Sequence, residues 1–187
     1  MASASLSAYK LTMEQAARSA RAASRRLRGM PAELRDAALR RIAQKIRGAR
    51  KEIQAANDRD LQRAGTEQIA QPLISRLSLS NSKIEAIDES LRDVAAAPDP
   101  LNKVQVVRQL DDSLILTQVT VPIGVLGVIF ESRPDALIQI ASLCIKSGNA
   151  AILKGGSEAM ESNQALYDCI QAALIDTDSG FSGALHL

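Results

Sequence analysis

Apolar residues recur at helical spacing through the first half of the chain. A basic stretch comes first, and its small apolar positions predict a helix that stops at Gly29. Pro31 lies where a helix begins well. From there the apolar positions that keep the helical period are Leu34, Ala38, Ile42, Ile46 and Ile53. The pattern therefore predicts consecutive amphipathic helices reaching about residue 64, followed by short helices over 73–77 and 83–96.

The pattern changes to strands after the "PDP" segment at 98–100, because proline disfavours helix in the residue before it. "KVQVVRQL" and "SLILTQVTVP" are β-rich runs separated by a hairpin turn over 111–113. "GVLGVIF" and "NAAILK" are short apolar runs typical of strands buried on both faces. Helices opening at Pro134 and spanning 157–174 follow these two strands in turn. Such alternation predicts an α/β fold with a parallel sheet whose ligands bind at the carboxyl ends of the strands.

These patterns divide the chain into four parts. We expect residues 1–10 to be disordered, 11–97 to form a helical region, 98–121 a β-hairpin region and 122–187 an α/β domain. The first 29 residues are rich in Ser, Ala and Arg and hold one acidic residue, Glu14, which is also typical of an organelle transit peptide. A native amphipathic helix is the favoured interpretation.

Charge is unevenly distributed along the chain. Residues 1–60 hold 14 Lys and Arg against 6 Asp and Glu, whereas the rest of the chain is acidic. A basic front half suggests nucleic-acid binding as an alternative function. Aromatics are only 2% of the residues and none interleave with these arginines for base stacking. A solvated helix face is favoured, and we expect no nucleic-acid partner.

Composition also limits the chemistry. No apolar run is long enough to span a bilayer, so we expect a soluble, cytoplasmic protein without a membrane partner. The 2 cysteines, Cys144 and Cys169, lack metal-ligand spacing, and the single histidine, His186, lies next to the last residue. We expect no metal site and no Ser-His-Asp triad.

Polar residues follow both buried strands. "ESRP" comes after the first strand and "KGGSE", residues 154–158, after the second. Lys154 should therefore emerge at the ligand-facing rim, and Gly155 and Gly156 leave room for a ligand. Ser157 would cap the next helix and leave its amides free for an anion. The alternatives, a phosphate-bearing nucleotide site and an ordinary glycine turn beside a solvated lysine, stay open on these residues alone.

The segment "VPIGVLGVIFESRPDALIQIASLCIKSGNAAILKGGSE" resembles the cofactor-domain signature of the gamma-glutamyl phosphate reductase family, within the aldehyde dehydrogenase superfamily. The resemblance extends through "AANDRDLQRA", "SRLSLS" and "DPLNKV" to nearly the whole chain. It implies N-terminal helices packed on the first part of a Rossmann-type parallel sheet, here truncated, so that residues 122–187 would form a partial NADP-binding α/β domain. It also implies an oxidoreductase of proline biosynthesis that reduces gamma-glutamyl phosphate with NADPH, and a homo-oligomeric full-length parent.

The resemblance assigns roles to the two strand ends. The superfamily's "KPSE" falls on Lys154, Gly155, Gly156 and Ser157, which implies cofactor contacts there. Its final glutamate, which often holds the 2′-hydroxyl of NAD, is replaced by Ser157. Losing that carboxylate favours NADP. The superfamily's oxyanion asparagine falls on Ser132, and the neighbouring Arg133 is a candidate for a substrate or cofactor anion. The other interpretation of Arg133 is a local ion pair with an adjacent carboxylate.

The resemblance implies that a cysteine thiolate attacks the acyl phosphate and that NADPH reduces the thioester. The family's nucleophile lies in a catalytic domain beyond residue 187, and neither Cys144 nor Cys169 matches its motif. We therefore expect no catalytic residue in this chain and no activity of the chain alone. A second hypothesis is a non-catalytic nucleotide-binding or regulatory module that pairs with the full-length enzyme through an exposed sheet edge.

Overall fold

A computed structural model describes residues 2–187, with side-chain environments from Met13 onward. Five helices come first, and a β-hairpin and an alternating strand-helix unit follow. The helices are α1 (Ala2–Arg28), α2 (Ala32–Gly48), α3 (Arg50–Thr66), α4 (Gln71–Leu77) and α5 (Asn81–Ala96). The remainder comprises β1 (Val104–Asp111), β2 (Leu114–Val119), β3 (Val125–Ile129), α6 (Pro134–Lys146), β4 (Ala150–Lys154), α7 (Met160–Thr177) and β5 (Leu185–His186), with 3-10 turns at Ser157–Ala159 and Ser179–Phe181.

The predicted helices are confirmed, and local chemistry explains several of their ends. The Ser80 hydroxyl accepts a hydrogen bond of 3.3 Å from the Lys83 N–H and caps α5. Pro134 begins α6 as predicted. The backbone breaks between α2 and α3 at Ala49, so the helical pattern that runs to residue 64 is two helices.

The three-stranded sheet is parallel, as predicted, in the order β3-β4-β5. β4 is the central strand and is mostly buried, because α1 and α6 pack against it. The prediction that "GVLGVIF" is buried on both faces is wrong. β3 pairs only with β4 among the described strands, and Ile129 at its end is 86% exposed. An apolar run indicates that a strand can be buried, but it does not identify the strands and helices that would cover it.

The antiparallel hairpin of β1 and β2 is confirmed, with its turn between Asp111 and Leu114. Nearly every residue of both strands is exposed, including Val107 and Ile115. Two register shifts interrupt the pairing. The hairpin therefore projects from the main core and adds little to it.

The core lies where the helices meet the sheet. α2 packs between α5 and α7, α6 contacts β4, and α1 packs along the three parallel strands. Ala20, Ala23 and Leu27 form the buried stripe of α1. The end of β4 and the start of α7 line one cavity, and the candidate site forms there.

Ion pairs between the two halves explain the uneven charge. Basic side chains of α2 and α3 pair with acidic side chains of α5 and α7: Lys45 with Asp176 at 2.7 Å, Arg47 with Asp88 at 3.2 Å, Arg50 with Glu85 at 2.7 Å and Arg59 with Glu161 at 2.7 Å. Much of the basic front half is thus complementary to the acidic remainder of the same chain. This arrangement gives no support to the nucleic-acid alternative.

None of the helices described over residues 2–187 combines the length and apolarity needed to cross a bilayer. α1 covers the stretch 2–10, where the sequence predicts disorder, and Met1 lies outside the described residues. The disorder prediction and the boundaries at 97/98 and 121/122 stay predictions.

Candidate functional site

The two polar strand ends singled out in the sequence meet at one edge of the sheet. Ile129 is in register with Lys154, and the Phe130 N–H donates to the Lys154 carbonyl at 3.0 Å. The "ESRP" and "KGGSE" segments therefore leave the sheet side by side. Parallel strands place their carboxyl ends together in this way, which is why these segments could be paired from the sequence.

The glycines after β4 are required by close packing. A Cβ on Gly155 would lie 2.5 Å from the Asn163 Nδ2 and 2.9 Å from the Phe130 Cζ. A Cβ on Gly156 would collide with the Ser132 hydroxyl. The side chains of Phe130 and Ser132, after β3, and of Asn163, in α7, thus contact the turn directly. Only residues without a Cβ can lie so close to them.

Lys154 is exposed at the rim of two cavities. One cavity, of about 290 Å³, lies along Lys154, the following turn and α7. The other, of about 550 Å³, lies beside the strand ends and includes Tyr167 and His186. The Lys154 ammonium donates to the Gly155 carbonyl at 2.6 Å, so it lies against the turn with capacity for further partners. Together the cavities reach the size of a ligand pocket.

Ser132 joins the two strand ends through Glu158, a contact that the sequence did not reveal. The Ser132 hydroxyl donates to the Glu158 carboxylate. This bond, with one from the backbone N–H of Glu158, lowers the pKa of that carboxyl, and Lys154 and Arg63 contribute. Glu158 is therefore ionised at neutral pH and lies across the turn.

Arg133 takes the local pairing that sequence analysis had kept as its alternative. Its guanidinium donates to the Asp135 carboxylate at 2.9 Å, and Glu131 pairs instead with Arg76 at 3.1 Å. The hydrogen bond from Arg133 to Asp135 also raises the pKa of Arg133. The Arg133 side chain is about half exposed, so an incoming anion would compete with Asp135 for the Arg133 guanidinium.

The expected cap by Ser157 is wrong. No side chain of its own segment caps the start of α7. Asp60 of α3 does so instead, accepting from the N–H groups of Glu161 at 3.2 Å and Ser162 at 2.8 Å. These amides are therefore occupied by a carboxylate and are not free for a ligand anion. The physical reason is tertiary: a buried carboxylate from another helix displaces the local hydroxyl.

Asn163 lies beneath the turn and has unused hydrogen-bonding capacity. It is 2% exposed, and its Oδ1 has no hydrogen-bond partner within residues 13–187. Buried amide oxygens without partners are rare and mark sites of strain or of a missing ligand or water. Sequence analysis did not single out Asn163, because a lone asparagine within a helix gives no signal.

The two thiols lie within helices α6 and α7 and are poorly suited to attack. Cys144 is buried in α6, and burial raises the pKa of its thiol. Burial, and then the carboxylates of Asp168 and Glu52, raise the pKa of Cys169. Over residues 13–187 there is also no cluster of His, Cys, Asp or Glu that could hold a metal ion.

The sequence is similar to that of a known enzyme family. Residues 3–180 match the aldehyde dehydrogenase family. The gamma-glutamyl phosphate reductase of Synechococcus elongatus is 47% identical over 171 residues, covering 91% of this chain and 40% of that protein.

Solved structures agree. The crystal structure of the gamma-glutamyl phosphate reductase from Saccharomyces cerevisiae has a TM-score of 0.88 at 38% identity, over 92% of this chain and 45% of that one. The Thermotoga maritima enzyme of the same name has a TM-score of 0.87 at 32% identity, over 92% and 41%. The chain thus spans less than half the length of these relatives. Its match across residues 3–180 shows that it belongs to the aldehyde dehydrogenase family.

Proposed function

We propose that this chain forms the NADP(H)-binding part of a gamma-glutamyl phosphate reductase. The whole protein would reduce L-glutamyl 5-phosphate to L-glutamate 5-semialdehyde in proline biosynthesis. The observation that carries the proposal is the glycine turn after β4, with Lys154 at its rim and the β3 end beside it. It occurs in a chain 47% identical to a protein named for that reaction.

The residues present fit a bound dinucleotide. Gly155 and Gly156 let the turn pack closely against Phe130, Ser132 and Asn163, and the buried Asn163 Oδ1 beneath it is an acceptor without a partner within residues 13–187. When bound, NADPH supplies the hydride for the reduction. Lys154 would bind the cofactor's ribose or phosphate oxygens from the rim. The Ser132 hydroxyl and the exposed Arg133 would orient an anionic group of substrate or cofactor.

The expected preference for NADP over NAD rests on the position of the acidic residue. Ser157 is exposed and carries no charge. The carboxylate of the next residue is turned towards Ser132, to which it is hydrogen-bonded. A 2′-phosphate beside Lys154 and Ser157 would then meet a cation and a hydroxyl.

Lys154→Ala should weaken NADPH binding. Loss of a charge-assisted hydrogen bond is expected to raise the Kd roughly tenfold to a hundredfold. The measurement is a fluorescence titration of NADPH with the purified chain, with NADH in parallel. Lys103→Ala, which removes another exposed lysine, is the control and should bind NADPH like the wild type. An unchanged Kd in Lys154→Ala would refute this role, and an equal Kd for NADH would refute the NADP preference.

We also propose that the chain alone does not turn over, because burial raises the pKa of both thiols and both cysteines lie within helices, Cys144 in α6 and Cys169 in α7. In the reverse direction, glutamate semialdehyde, NADP and phosphate should give no increase in absorbance at the NADPH wavelength. Turnover abolished by Cys144→Ser or Cys169→Ser would contradict the proposal and identify the nucleophile.

We further propose a cytoplasmic location and a homo-oligomeric whole protein. The support for oligomerisation is the projecting hairpin, whose apolar residues, among them Val107 and Ile115, are exposed in the described chain. Size-exclusion chromatography with light scattering on the whole protein would test it.

A further inference from the structure

We propose that Arg63 of α3, held by Asp60, is a positioning residue that sets the orientation of the cofactor turn. The inference rests on the proposed function, because it concerns the same turn. Arg63 lies within "AANDRDLQRA", 94 residues before Ser157 and outside both polar strand-end segments. Its role follows from where its guanidinium donates.

Arg63 reaches the backbone of the turn directly. One guanidinium nitrogen donates to the Ser157 carbonyl at 3.3 Å and to the Glu158 carbonyl at 3.2 Å. It also pairs with the Asp60 carboxylate at 2.5 Å. The Arg63 side chain is 32% exposed and that of Asp60 is 0% exposed, so one end of the pair is fixed in the interior.

Asp60 is itself fixed by α7. Beyond the two amides it caps, its carboxylate accepts from the Ser162 hydroxyl at 2.7 Å. One turn earlier in α3, Asn57 donates to the Ser162 hydroxyl at 3.0 Å and to the Leu77 carbonyl at 2.9 Å. Asn57, Asp60 and Arg63 recur at intervals of three and so share one helix face. This face sets the position of α7 relative to the turn.

The direction of these bonds constrains the amides of the turn. A trans peptide holds its C=O and N–H on opposite sides. With the Ser157 carbonyl directed at Arg63, the N–H of Glu158 is directed away from α3. Loss of Arg63 would leave these two peptide planes free to rotate. Residues 155–158 would then adopt several backbone conformations. Nucleotide binding would have to select one of them, and the loss of conformational entropy would weaken the affinity.

The neighbouring Arg59 provides a matched control. It lies one helical turn before Arg63 and pairs with Glu161 at 2.7 Å, also at the start of α7. It donates to no backbone carbonyl of the turn among the contacts described for residues 13–187. The two arginines therefore share an element, a charge and a partner helix, and differ in their contact with the turn.

The experiment compares Arg63→Met, Arg63→Lys and Arg59→Met in the 187-residue chain. Methionine keeps an apolar stem and removes the donors, so packing is retained. Two readouts are taken well below the unfolding temperature: the Kd for NADPH by fluorescence, and hydrogen exchange of amides 155–162 without nucleotide. We expect Arg63→Met to raise the Kd about tenfold, as for loss of one or two hydrogen bonds. Hydrogen exchange of amides 155–162 should be faster in Arg63→Met than in the wild type. Arg63→Lys should recover most of the NADPH affinity. Arg59→Met should have the Kd and the exchange rates of the wild type.

The outcomes separate this inference from the proposed function. Wild-type affinity and exchange in Arg63→Met would overturn the positioning role. A uniform loss of thermal stability with unchanged Kd would also overturn it, since that is the result of a purely structural arginine. Failure of the wild-type chain to bind NADPH would overturn the proposed function instead. In that case the exchange comparison still decides whether Arg63 orders the turn.

Discussion

Replacing Asp60 with alanine is expected to lower the free energy of unfolding by about 3–5 kcal/mol, the range for removing one partner of a buried charged network. Asp60 is fully buried and accepts from two backbone amides and the Ser162 hydroxyl. Alanine would leave these donors and the Arg63 guanidinium without an acceptor. The cost is large because buried donors cannot recover hydrogen bonds with water.

Urea unfolding followed by circular dichroism would measure this loss, and the melting temperature should fall by about 10 °C. Asp60→Asn keeps an acceptor for the helix amides and should lose less than half as much. Asp58→Ala, two positions away on the exposed face of α3, should change stability by less than about 0.5 kcal/mol. Equal stability of Asp60→Ala and Asp58→Ala would contradict the assigned cap.

Replacing Arg35 with alanine should destabilise the chain by about 3 kcal/mol, because both a buried ion pair and a large packed side chain are lost. Arg35 is 2% exposed, pairs with Asp99 at 2.8 Å and donates to the Lys146 carbonyl. Lys146 in turn pairs with Asp36 at 2.7 Å. These contacts connect α2, α6 and the segment after α5.

Arg35→Met separates packing from charge, since it fills the space without the guanidinium. It should lose clearly less stability than alanine. Partial burial raises the pKa of Asp99, but hydrogen bonds from Arg35 and the Leu101 N–H lower it further, to below its ordinary value of 3.8. A carboxyl with a lowered folded-state pKa contributes stability above pH 3.8, which is lost as pH falls through the folded pKa. The difference between wild type and Arg35→Met should therefore shrink in acid; a difference independent of pH would contradict the pair's role.

Local patterns predicted most of the elements. The stripe that includes Ile42 and Ile46, the proline start of α6 and the turn after Asp111 each depend on residues a few positions apart. Burial of β3 was predicted wrongly because its apolar run does not specify which neighbours cover it. Hydrophobic periodicity indicates which residues of an element can be buried. Tertiary packing decides which other elements cover them.

The candidate site divides in the same way. Lys154 and the two glycines follow directly from the end of a strand, so the sequence located them. The supports of that turn come from α3, and the cap comes from Asp60, where Ser157 had been expected. Asn57, Asp60 and Arg63 lie in "AANDRDLQRA", which was noted in the sequence only for its family resemblance. Their partners on the turn and α7 lie 94 to 105 residues further on, and none of them was assigned from the sequence.

That separation has a consequence for synthesis of the protein. Asp60 and Ser162 are 102 positions apart, and translation adds about 5–20 residues per second. Each newly made molecule therefore exists for roughly 5–20 s with Asp60 synthesised but without its hydrogen bonds to α7. Of the N-terminal helices, α2 and α5 can pack together during that interval, whereas α1 packs on strands that are made later. The turn that we propose holds the nucleotide takes its final shape only after α7 has emerged.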